Sequence, residues 1–197
     1  MDSGQCEVSV YYKTKRNVLA LRPDTWVEDE SWQKYLMVGN GDSYGVKGYL
    51  YQHWKRWSLQ LSYAYSRSRE WFGELPEKGK VPSLYDVPHQ LGGALSYQLT
   101  TRSSFSVGGM LRSGKVRFLN EDYEPLSVDD FREKREPLNY RVDVGYSYRK
   151  SFGEKLLLLR LSVYNVVGNP SEEDILSFYS VHWRGNCLPY GSISFKF

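Results

Sequence analysis

The sequence has no apolar run near the ~20 residues that a membrane helix needs, and its mean hydropathy is negative, at −0.56. That excludes helical spans. It leaves a membrane barrel open, because barrel strands turn only alternate residues to lipid and barely raise the average. Cysteine is scarce: Cys6 and Cys187 stand near opposite ends without metal-type spacing and are expected to be free thiols. His53, His89 and His182 fall on separate segments, and the chain contains no HxxxH, CxxC or nucleophile elbow. No GxGxxG or P-loop occurs either. Hence no catalytic residue, metal ligand or cofactor is expected, and the chain is read as a non-enzyme. The net charge of +3 is too small to argue for nucleic acid, and no Arg/Lys stretch interleaves with aromatics. Met1 to Glu7 lacks the basic and apolar regions of a signal peptide. An exported protein would need one, so the expectation is either a C-terminal piece of something longer or a soluble protein.

What the chain does have is alternation. It ends in Gly191-Ser192-Ile193-Ser194-Phe195-Lys196-Phe197, a strand that finishes on an aromatic ring. Soluble termini are usually frayed and polar, whereas the last strand of a membrane barrel must pair within the wall. Trp57, Leu59, Leu61, Tyr63 and Tyr65 alternate with Ser58, Gln60, Ser62, Ala64 and Ser66. That is ~11 residues, the length a tilted strand needs to cross hydrocarbon. Leu91 to Leu99, Phe105 to Leu111, Tyr140 to Tyr148, Leu157 to Val163 and Val8 to Tyr12 repeat the pattern. Val46 to Trp54 is less regular; Val46 and Leu50 are placed on the apolar side with Lys47 opposite. Eight strands result. A helical period of 3.6 would scatter both rows around a cylinder. Energy assigns the faces, since an Arg such as Arg141 turned to mid-bilayer lipid would cost about 2–4 kcal/mol. Leu61, Val144 and Leu159 are therefore expected outward, and Ser62, Asp143 and Arg160 inward.

Connections alternate too. Lys55-Arg56, Thr100 to Ser103 and Ser151 to Glu154 read as tight turns; Lys15 to Ser43, Arg67 to Pro88, Ser113 to Leu138 and Gly168 to Leu188 read as long loops. Outer-membrane barrels have this asymmetry, with short periplasmic turns and long extracellular loops. Aromatics make up 16% of the chain, and they gather at both strand ends. Trp54, Trp57, Phe105, Tyr148, Phe195 and Phe197 fall near the short turns or the terminus; Tyr65, Trp71 and Tyr140 fall near the long loops. Interfacial belts would be so placed. The acidic groups Glu28-Asp29-Glu30, Glu121-Asp122 and Glu172-Glu173-Asp174 lie in long loops and read as solvated charge. Asp86 with His89 reads as a loop-to-strand cap rather than a metal pair.

Several stretches resemble the C-terminal barrel of TonB-dependent outer-membrane receptors, in the style common among Bacteroidota. They are YYKTKRNVLALRP (Tyr11 to Pro23), YGVKGYL (Tyr44 to Leu50), SYAYSRSRE (Ser62 to Glu70), YDVPHQL (Tyr85 to Leu91), NYRVDVGYSY (Asn139 to Tyr148), YNVVGNP (Tyr164 to Pro170) and the terminal SISFKF. Lys47 departs from the pattern, which usually has an acid there. The resemblance implies an all-β transmembrane antiparallel barrel wall, with residues 1–197 as eight strands of a 22-stranded barrel whose lumen an N-terminal plug fills. It implies uptake of a scarce or large substrate (siderophore, metal complex, vitamin or glycan) across a Gram-negative outer membrane. The implied partners are outer-membrane lipid, the missing strands and plug, the TonB complex acting through that plug, and the barrel-assembly machinery. Ile193, Phe195 and Phe197 would carry the assembly signal. Substrate-binding residues are left unassigned. Two other readings stay open: a small self-closing outer-membrane barrel with binding loops, and a soluble ligand-binding β-barrel.

Overall fold

The computed structural model describes residues 3–23, 32–75, 79–117, 132, 134–169 and 187–196. Its strands are β1 (Ser3–Leu21), β2 (Leu36–Trp54), β3 (Trp57–Phe72), β4 (Val81–Pro82), β5 (His89–Gln98), β6 (Ser103–Arg112), β7 (Asn139–Phe152), β8 (Lys155–Gly168) and β9 (Leu188–Lys196). A 3-10 turn, Trp32–Tyr35, precedes β2. The architecture is one antiparallel sheet in the order β1-β2-β3-β5-β6-β7-β8-β9, with β4 paired to the upper part of β3. The sheet is not closed. The eight alternating segments thus form the meander, and β4 is an added two-residue strand inside the Arg67 to Pro88 connection.

Register carries the alternation from strand to strand. Leu59 pairs Leu95, Leu95 pairs Val107, Val107 pairs Val144, and Val144 pairs Val163. This aliphatic row has an aromatic row on the short-turn side: Trp57, Tyr97, Phe105 and Tyr146 pair in series. On the long-loop side Tyr63, Leu91, Leu111 and Tyr140 pair in the same way. Trp57 to Tyr63 spans six residues, roughly 20 Å along the strand. On the opposite face Ser62, Gly92, Met110 and Arg141 align, as do Gln60, Ala94, Gly108 and Asp143. Lys47 falls opposite Ala64 on this polar face, and Val46 opposite Tyr65 on the apolar one. A one-residue slip would exchange the faces, so the side-chain pattern holds the register.

Among the described residues, much of the apolar face is exposed. Leu61 is 38% exposed, Val107 39% and Ile193 76%. The buried apolar cluster lies instead near the long loops, where Ala20, Met37, Phe72, Leu75 and Val81 pack together. Here the strands outrun their alternation: β1 continues to Leu21, β2 begins at Leu36 and β3 reaches Phe72. Gly39 and Gly41 explain why pattern reading stops early at β2. An ideal Cβ on Gly39 would lie 2.4 Å from the Trp71 carbonyl oxygen, so close backbone approach replaces side-chain alternation there. Two register breaks, at Lys15/Val18 and Val142/Val144, coincide with asparagines in the left-handed region, Asn17 (φ 55°) and Asn165 (φ 54°).

Candidate functional site

The polar face carries the chemistry. Between the middles of β1, β2 and β3 and the long-loop ends of β5 and β6 it forms a hollow of about 690 Å³, lined among others by Glu7, Tyr11, Lys47, Tyr49, Gln90 and Arg112. Five successive strands line one hollow, so the sheet curves around its polar side. The Tyr11 ring sits between two ammonium groups, Lys13 at 5.7 Å and Lys47 at 5.8 Å from the ring centre. Gly45 makes room for this ring, since a Cβ there would lie 2.8 Å from Tyr11 Cε1. Hydroxyl, amide and charged groups converge, which suits a polar ligand held by several hydrogen bonds. The apolar face has a groove of about 420 Å³ between β6, β7, β8 and β9, lined by Phe105, Val144, Leu161 and Val163.

Just beyond this hollow, toward the long loops, buried charge ties two connections to the wall. Glu70 is 4% exposed and pairs with Arg132, itself 3% exposed. Ser83 Oγ donates to Glu70 Oε1 at 2.8 Å, and Lys15 Nζ lies 3.4 Å from the same oxygen. The Arg132 guanidinium also stacks 5.2 Å from the Phe72 ring centre. A second centre is Asp86, 1% exposed. Its carboxylate accepts the Ser68 backbone N–H at 2.6 Å, pairs with Arg135, and lies 3.6 Å from Arg67. Glu70 stands beyond the aromatic rows. Burial pushes its carboxyl up, but hydrogen bonds from Arg132 and Ser83, with the charges of Arg132 and Lys15, outweigh this and hold it below its ordinary value. Glu70 and Asp86 together hold the β6–β7 connection against β3.

That connection starts as a narrow ribbon. Arg117 N–H donates to Lys134 O at 2.9 Å, and Glu136 N–H donates to Lys115 O at 2.8 Å. Gly114 sits at its base, where an ideal Cβ would fall 1.7 Å from the Glu136 carbonyl oxygen. Gly114→Ala should therefore force the backbone apart at a cost of about 1–3 kcal/mol. Hydrogen exchange at Arg117 and Glu136 should then speed up about tenfold or more, while β5 stays protected. Unchanged exchange at these two amides would refute the ribbon.

Of the residues singled out in the sequence, Arg141 and Asp143 meet on the polar face, with Arg141 Nε 3.1 Å from Asp143 Oδ2. Asp143 also accepts the Asn165 N–H at 2.8 Å, which braces the break in β8, and Arg141 lies over the Tyr164 ring at 3.9 Å. Ser62 and Arg160 line hollows on the same face. Asp86 and His89 do not share a ligand: His89 Nδ1 bonds the Tyr63 hydroxyl at 2.8 Å, and Asp86 serves Ser68 and the arginines. Among the described residues no group of three or more His, Cys, Asp or Glu could hold a metal. Cys6 and Cys187 are free and exposed. Ile193 pairs Leu159 and Phe195 pairs Leu157, so both lie on the apolar face of β9; Phe197 lies outside the described residues, as do the three acidic clusters. The Glu70 and Asp86 centres escape sequence reading because their arginines lie 62 and 49 residues away. No family model matches the chain, and no curated protein or solved structure does either.

Proposed function

We propose that the chain is the C-terminal part of the wall of a TonB-dependent outer-membrane receptor, which takes up a scarce or large substrate across a Gram-negative outer membrane. The observation that carries this reading is the two-faced sheet. An aliphatic band between aromatic rows is partly exposed on one face, while charge, hydroxyls and a hollow of about 690 Å³ gather on the other. An uncovered apolar band this wide calls for lipid or protein against it. Bilayer-spanning barrels likewise flank an outward apolar band with aromatic girdles at both interfaces. On this reading the polar face borders the lumen, the short turns face the periplasm, and the loops held by Glu70 and Asp86 cover the extracellular mouth.

The open edges favour a larger wall over self-closure. β1 and β9 end the strand order without pairing each other, and an unpaired backbone edge in lipid costs several kcal/mol per group. Further strands of a parent protein would cover both edges. Ile193 and Phe195, on the apolar face of the last strand, then present the signal read during barrel assembly, with Phe197 completing it. The reading frame upstream of Met1 tests the assignment. An open frame encoding a plug and about fourteen further alternating strands supports it; a stop codon directly upstream in the native gene overturns it in favour of a self-closing barrel.

A further inference from the structure

Near the short turns the polar face forms a second hollow, of about 450 Å³, with a different character. Arg56, Arg102, Arg149 and Arg160 line it, and no Asp or Glu does. Leu156 and Leu158 contribute apolar surface. Several cations nearer the long loops are matched by carboxylates: Lys15 and Arg132 by Glu70, Arg135 by Asp86, Arg141 by Asp143. Among the described residues, none of the four arginines at the short-turn end forms an ion pair with a carboxylate. Two of them are forced close by register, since Arg160 faces Ser147 and Arg149 faces Leu158 across β7 and β8. Diagonal neighbours of this kind lie ~7–8 Å apart. All four are solvent-exposed, and together they leave this end of the polar face positively charged.

We propose that this hollow is an anion site for an acidic polypeptide segment lying across the short-turn end of the polar face. Spread decides between a peptide and a single anion. Arg56 lies on the β2–β3 turn and Arg102 on the β5–β6 turn, while Arg149 and Arg160 lie on β7 and β8. From β3 to β8 there are four strand spacings, roughly 19 Å at ~4.8 Å each. A single phosphate or carboxylate is too small to bridge that whole span. An extended peptide of about six residues covers the distance and offers a carboxylate at each step. Ser147 and Ser58 add hydroxyls between the arginines. The inference rests on the proposed function only for the lumenal setting of this face; the charge arrangement itself does not depend on it.

The test uses the full chain refolded in neutral detergent micelles and a fluorescent octapeptide alternating Glu and Ser. Its Gln-for-Glu counterpart and inorganic phosphate serve as comparison probes. Binding should be specific to the acidic peptide, weaken strongly between low and physiological salt, and fall at least tenfold in R149Q/R160Q. R102Q, on an exposed turn, gives the same direction if the double variant does not fold. R22Q/K80Q, which removes two cations paired with Glu74 and Asp42 near the long loops, should leave binding unchanged. Equal binding of the Gln peptide, or no loss in R149Q/R160Q and R102Q, overturns the proposal. Phosphate binding as tightly as the peptide overturns it in favour of a single-anion site. Lipid contact of the opposite face is read separately, so a failed membrane placement and a failed anion site are told apart.

Discussion

Val144→Arg should destabilise the bilayer-inserted parent protein by about 2–4 kcal/mol, while Ser62→Arg should cost far less. Val144 belongs to the row of Leu59, Leu95, Val107 and Val163. Neither this row nor the next, Leu61, Gly93, Gly109 and Val142, contains a charged residue. An arginine at Val144 would have no partner there and would have to bend toward an interface. Ser62 instead lines the large polar hollow, where Glu7 stands on the same face. Equilibrium unfolding from vesicles measures both variants. Equal losses at the two positions would refute the assignment of faces.

Glu70→Gln should release the β6–β7 connection from the wall. Removing one partner of a buried ion pair leaves the other charge uncompensated, typically at about 3–5 kcal/mol, and Arg132 is only 3% exposed. The loss should be local. Amide exchange at Arg117 and Glu136 should accelerate strongly, while β5, β6 and the lower half of β3 keep their protection. Adding Arg132→Met should restore part of the lost protection, because two apolar groups no longer leave a bare charge. The pH dependence has a definite sign. Glu70 is held below its ordinary value, so its contribution is fully present above the usual carboxylate range. It is lost only as pH falls through the lower folded value. If Glu70→Gln leaves exchange unchanged at neutral pH, the pair does not hold the connection.

Much of this architecture is legible in the residues because a barrel-like strand repeats one rule. Trp57 to Tyr65 and Tyr140 to Tyr148 show their faces in sequence, and pairing then carries those faces across the sheet. Legibility ends where another force sets the backbone. Gly39 and Gly41 sit in a part of β2 that packs by backbone approach, so its strand character leaves no alternating signature. β4 has two residues, Val81 and Pro82, too few to show any period. The breaks at Asn17 and Asn165 had a local cue, since asparagine tolerates positive φ better than most residues. Nothing near Glu70 in sequence marks it as buried or names Arg132 as its partner; only the folded connection brings them together. The arginines around the short-turn hollow are likewise scattered over two turns and two strands.

The most direct test of the two-faced wall is bromolipid quenching along β3. Single cysteines at Leu59, Gln60, Leu61, Ser62, Tyr63 and Ala64 of the parent protein, in a background lacking Cys6 and Cys187, would carry a small fluorophore in vesicles with brominated acyl chains. The account predicts strong quenching at 59, 61 and 63 and weak quenching at 60, 62 and 64, a clean period of two. Quenching at the even positions instead, or at none of the six, would contradict it.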